Sequence, residues 1–206
     1  RLLEGVKEPV DCAVLPHLRY SKESALKLHS MGFEVMLHCP MEPESGAIDA
    51  GRGVIFSGMS KQEIIETLEQ NLESVPFAAG VNNHMGSKAC KSKDLVRTVL
   101  GETDKRGLFF VDSLTSNDSV ICQVAGEIGC PSIERDVFLD NVREDESIRN
   151  AFEELIKLSK KNGGAVGIGH YREQTLKILI SYINVIKCND LKIVPASEMA
   201  NIKGGD

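Results

Sequence analysis

A chain of 206 residues, 42% hydrophobic and 26% charged, has enough apolar content to bury the core of one enzyme-sized domain. Its 24 basic residues against 30 acidic ones give a formal charge of −6. That balance argues against nucleic acid or an acidic membrane as partner, because phosphate contacts need clustered Lys and Arg.

Read along the chain, RLLEGV at the start reads as the tail of a helix that follows a strand. Beyond it, short apolar runs alternate with longer stretches of helical period, the pattern of a mostly parallel sheet built from βα units. The predicted strands are VDCAVLP (10–16), FEVMLHC (33–39), FAAGVNN (77–83), GLFFVDS (107–113), PSIERDVFL (131–139), GAVGIGH (164–170) and KIVPAS (192–197). Seven such units predict a barrel more than an open sheet, in a single domain over residues 1–206. A helix is predicted over 21–31, with Ser21 and Ser24 as candidate caps and Gly32 as its stop. The clearest helix follows Ser60, where Glu63 three residues on completes a capping box and Ile64, Ile65, Leu68 and Leu72 share a face. Further helices are predicted around 92–106, 117–128, 146–161 and 172–187. The Gly-rich stretch from Met41 to Met59 reads as a long βα loop, suited to a lid or groove wall.

Six cysteines at 12, 39, 90, 122, 130 and 188 contain no CxxC pair, so zinc-ribbon and redox patterns are absent. Several lie inside apolar runs, where a free thiol packs as a small hydrophobe. No apolar run approaches the roughly 20 residues needed to cross a bilayer, and the start does not resemble a signal peptide.

Five predicted strands end in a polar group capable of chemistry: His17, His38, Asn83 with His84, Asp112 and His170. Parallel strands present such ends on one face of the sheet, so four of the five histidines are expected at one mouth, with His29 alone on a helix. Imidazole is a common zinc ligand and the natural acid or base near neutral pH. Asp112, after four apolar residues, is expected to be buried with partners or to line a pocket. Arg135 and Asp136 read either as a structural ion pair or as a pair fixing a catalytic group. In NNHMGS, Asn and Gly favour a turn, read either as an ordinary polar loop or as one that orients His84 through its amide neighbours and exposes backbone N–H groups.

Taken together, EVMLHCPMEP, GVNNHMGS, LFFVDSLTS, ERDVFLDN and GAVGIGH, in this order and spacing, resemble the signature blocks of the divergent polysaccharide deacetylases. The likeness runs from AVLPH to the helix after GIGH. It implies a distorted barrel of βα units holding one divalent metal, zinc by expectation, between carboxylate and imidazole ligands. Carried over, His38 and His84 resemble the metal ligands and His170 the general acid, with Asp112 or Asp136 orienting it or accepting a proton. Where the classical enzymes place a second histidine four residues after the first, this chain has Glu42, which becomes a candidate third ligand or substrate-binding residue beside Asn83, Arg135 and His17. The family opens with a strand ending in Asp-Asp, and Asp11 does not match it, since it precedes a strand. The sequence is then read either as a piece of a longer chain or as a degenerate member.

The resemblance implies removal of an acetyl group from an acetylated saccharide outside the cytoplasm or in the periplasm. With 5% aromatic residues and no Trp, stacking platforms for pyranose rings are scarce, which favours a short or unusual acylated sugar. Two alternatives stay open: a non-catalytic module that binds an envelope polymer or a protein, and a metal-dependent amidohydrolase acting on a non-sugar amide.

Overall fold

A computed structural model describes residues 3–47 and 49–203, with the side chains of 202 and 203 excepted. The chain forms two compact units: residues 11–134 with 196–206, and residues 1–10 with 135–195.

The first unit is an α/β layer around a five-stranded parallel sheet in the order β1 to β5. Its elements are β1 (Cys12–Val14), α1 (Ser21–Ser30), β2 (Val35–Met41), α2 (Lys61–Ser74), β3 (Ala78–Met85), α3 (Lys93–Asp104), β4 (Phe109–Asp112), α4 (Ile121–Ile128) and β5 (Ser132–Glu134). Strands keep their sequence order because every crossover is a helix returning the chain to the same edge, as parallel pairing requires. Alternation along β2 divides the sheet's faces. Val35, Leu37, Cys39 and Met41 join Val81, Phe110 and residues of α1–α4 in the core, leaving Met36, His38 and Pro40 on the opposite face.

Local chemistry explains the element ends. Ser60 caps α2 with the predicted reciprocal bonds to Glu63: its hydroxyl accepts from Glu63 N–H, and Glu63 accepts from Ser60 N–H at 2.7 Å. Ser21 does not cap α1. Its hydroxyl instead donates to Leu15 O and accepts from Leu18 N–H, tying the loop before the helix, and Tyr20 holds the cap position. Gly80 lies under the ring of Phe109, and a Cβ there would sit 2.5 Å from Phe109 Cζ, so only glycine fits.

The second unit packs α5 (Asp145–Asn162) and α6 (Glu173–Cys188) on a short parallel pair, β6 (Val137–Phe138) and β7 (Gly167–Ile168). Ile148, Phe152, Ile156, Ile178, Tyr182 and Ile186 form its core, with the Phe152 and Tyr182 rings stacked 5.0 Å apart. Leu3–Gly5 is a single 3-10 turn, and Arg1 and Leu2 lie outside the described residues.

Seven strands in one barrel were expected; the structure pairs five in one sheet and two in another, and among the described residues no strand pairing closes a barrel. PSIERDVFL breaks into β5 and β6, with Arg135 and Asp136 between them. KIVPAS is not a strand. Pro195 has no N–H for a ladder, and the amides of Ala196 and Ser197 bond to the carboxylates of Asp11 and Glu34, starting α7 (Ala196–Lys203). All six cysteines are free thiols, with Cys39, Cys90 and Cys130 buried as core residues. No helix among the described residues is long and apolar enough to cross a membrane.

Candidate active site

In the five-stranded unit, register brings two of the predicted ligands together. His38 on β2 is opposite Asn82 on β3, and Pro40 is opposite His84, so His38, Asn82 and His84 share the face away from the helix-covered core. His38 Nε2 and His84 Nδ1 are 3.0 Å apart, and His38 Nδ1 lies 3.1 Å from Asn82 Oδ1. An amide oxygen only accepts, so Nδ1 of His38 carries the proton and Nε2 presents its lone pair toward His84. Asn82 is itself fixed, donating to Ser113 Oγ at 3.2 Å. Two ligand nitrogens on a tetrahedral zinc with bonds of about 2.0–2.1 Å stand roughly 3.3 Å apart. The observed spacing and tautomer therefore fit two adjacent ligands. Among the described residues no group of three or more His, Cys, Asp or Glu is arranged to hold a metal.

The turn after His84 differs from expectation in which residues bend. Asn82 and Asn83 stay in the strand, while Met85 (φ 55°) and Gly86 (φ 91°) take left-handed geometry. Asn83, fully buried, accepts from Ser113 N–H at 2.7 Å and donates to Met85 O and Thr115 Oγ1, which locks this turn to the end of β4. Asp112 has the parity of Phe110 and so faces the helix side. Its carboxylate accepts from Leu114 N–H at 2.8 Å and Ser119 Oγ at 2.6 Å, bracing the loop after β4.

Glu42 buckles the long loop. Its carboxylate accepts from Lys88 Nζ at 2.7 Å and from the amide and hydroxyl of Ser57, while its carbonyl accepts from Lys88 N–H and Ala89 N–H. Burial alone would raise this carboxyl, but the bonds from Lys88 and Ser57 prevail and lower it to about 2. His17, at φ 57°, sets Nε2 2.8 Å from Asn71 Oδ1, and Asn71 donates to Gly53 O, so this histidine ties the loop to α2. His29 stacks on Phe77 at 3.9 Å.

In the second unit, the β6–β7 register, extended two residues past Phe138↔Ile168, sets Asp140 beside His170. His170 donates to Asp140 from Nδ1 (2.9 Å to Oδ1) and from its backbone N–H (3.1 Å to each oxygen). Thr175 Oγ1 (2.8 Å) and Arg172 Nη1 (3.1 Å) donate to Oδ2. The Asp140 side chain is 0% exposed and that of His170 is 53% exposed. Burial raises the Asp140 carboxyl, but the bonds from His170 and Thr175 outweigh it and hold it below the usual carboxylate range. An ionised Asp140 on Nδ1–H leaves Nε2 as the nitrogen that exchanges protons. Asp140, absent from the predicted site, is thus the carboxylate that orients His170. Asp136 accepts from Val166 N–H at 2.7 Å, and Arg135 stacks on Phe138, whose ring lies 5.4 Å from that of His170.

The model of the divergent polysaccharide deacetylases matches residues 1–200. The chain belongs to this family. Among relatives of this chain, YibQ of Escherichia coli K12 is 32% identical over 192 residues, 93% of the chain. A protein of Haemophilus influenzae Rd is 32% identical over 170 residues, 82% of the chain. The chain spans 60% of the length of each. The crystal structure of ATU2773 from Agrobacterium tumefaciens C58 superposes with a TM-score of 0.91 at 21% identity, covering 96% of this chain and 81% of that one, a likeness of fold.

Proposed function

We propose that this member of the divergent polysaccharide deacetylase family is a metal-dependent hydrolase that removes acetyl groups from a saccharide. The observation that carries the reading is the pair of imidazole nitrogens 3.0 Å apart on neighbouring strands, one of them fixed in its tautomer by Asn82. His38 Nε2 and His84 Nδ1 hold a divalent ion, zinc by its preference for imidazole. When bound, such an ion lowers the pKa of its water from 15.7 toward about 7 and carries charge that develops on the acyl oxygen.

The chain's own residues supply the rest. Asn82 keeps His38 in the ligand tautomer. By the family resemblance His170 takes the role of the acid that protonates the departing sugar amine or alcohol, with Nε2 as its free nitrogen, while buried Asp140 holds the ring within its own unit. Met85 and Gly86 turn the chain away immediately beyond His84, leaving its ring at the strand end. Exposed Tyr171, next to His170, offers one flat face to a sugar ring.

A second reading, a non-catalytic module that binds an envelope polymer or a protein, draws support from the number of ligands: two imidazoles are in place, and no third ligand joins them among the described residues. Acetate release separates the two. Full-length protein loaded with zinc and offered a panel of acetylated mono- and oligosaccharides is expected to release acetate, and to stop when the metal is chelated. Saturable saccharide binding with no acetate released would establish the module instead.

A further inference from the structure

Asp11 and Glu34 stand side by side at the N-terminal edge of the five-stranded sheet, each just ahead of its strand. Cys12 pairs with Val35, and Cys12 N–H donates to Glu34 O at 2.8 Å. Both carboxyl groups reach the amino end of α7: Asp11 Oδ2 accepts from Ala196 N–H at 3.1 Å and Glu34 Oε1 from Ser197 N–H at 3.0 Å. Asp11 Oδ1 is buried and has no hydrogen-bond partner among the described residues. A buried carboxylate oxygen left so costs free energy that a proton shared with the neighbouring carboxyl removes.

We propose that Asp11 and Glu34 share one proton and act as a pH-gated clasp on α7, closed while the proton is held and loosened as it is lost. A buried carboxyl that faces another carboxyl is costly to ionise. The helix amides favour one negative charge at this end, which the pair retains. The Cys12 thiol, next along the chain, is pushed up to about 11 by burial and then by Asp11. Burial first, then the bond to Glu34, pushes the Asp11 carboxyl up to about 8 from its ordinary 3.8.

The sign follows from linkage. The docked state binds the proton more tightly than the undocked state, so docking is strongest at low pH, weakens as pH rises from about 4 to about 8, and is flat above that. α7 packs against β4 and β5, and Ala200 is fully buried, so release exposes apolar surface along these strands.

Hydrogen exchange in α7 of the full protein, expressed as protection factors corrected for intrinsic rate, tests the clasp between pH 5 and 9. Wild-type protection at Ala200 is expected to fall roughly 100-fold between pH 5 and 8 and then level off, since linkage permits up to tenfold per unit. Asp11→Asn, whose amide donates to Glu34 while its oxygen still accepts from Ala196 N–H, is expected to hold protection constant, and Glu34→Gln likewise. A flat wild-type profile, or variants that fall in step with wild type, would overturn the proposal.

Discussion

His170→Ala in the zinc-loaded, full-length protein is expected to lose about 10²- to 10⁴-fold in kcat, the usual contribution of a positioned general acid, while binding metal as wild type does. The expectation follows from its hydrogen bonds. Asp140 accepts from Nδ1–H and leaves Nε2 to exchange protons, and the His170 side chain is exposed enough to meet a substrate. Asp140→Asn probes the same device one step back. The amide keeps the shape but not the charge that steadies an imidazolium, so kcat is expected to drop about 10- to 100-fold with KM little changed. A purely structural role for Asp140 would lower thermal stability and leave kcat of the folded fraction intact, so the two readouts separate positioning from support. An unchanged rate in His170→Ala removes this histidine from the mechanism.

The second large effect concerns the imidazole pair. His38→Ala and His84→Ala are each expected to abolish deacetylation and to lower bound divalent metal well below that of wild type. Asn82→Leu should act in the same direction more weakly, at about 10- to 100-fold in metal affinity, since it removes the acceptor that sets the His38 tautomer but neither nitrogen. Metal content by mass spectrometry after dialysis reads all three. Wild-type stoichiometry in His38→Ala would detach this residue from the ion.

Much of the architecture was legible because periodicity reports burial directly. Lys61–Ser74 announced itself through a capping box and a one-sided apolar row, and both are present. Strand pairing is not local, so seven apolar runs could not reveal that one of them would split between two sheets and another would form no strand. KIVPAS misled because its apolar residues resemble a strand, whereas its fate is set by Pro195 and by two carboxylates more than 160 residues away. At the site, His38 and His84 were visible as strand-end imidazoles, and register then placed their rings together. Asp140 was overlooked beside Asp136 because sequence shows which acids are near but not which parity faces His170. Knowing that Phe138 pairs with Ile168 would have pointed to it by counting two residues along each strand. Asp112 illustrates the converse: strand alternation turns it to the helix side with Phe110, where it serves the following loop.

At the centre of the proposed chemistry is one ion held by two imidazoles from adjacent strands. Anomalous diffraction at the zinc edge, from crystals of the full-length protein grown with zinc, measures this directly. The prediction is a single strong peak bonded to both His38 Nε2 and His84 Nδ1, at the roughly 2.0–2.1 Å of a zinc–imidazole bond. Zinc bound elsewhere, with these two nitrogens still hydrogen-bonded to each other, would contradict it.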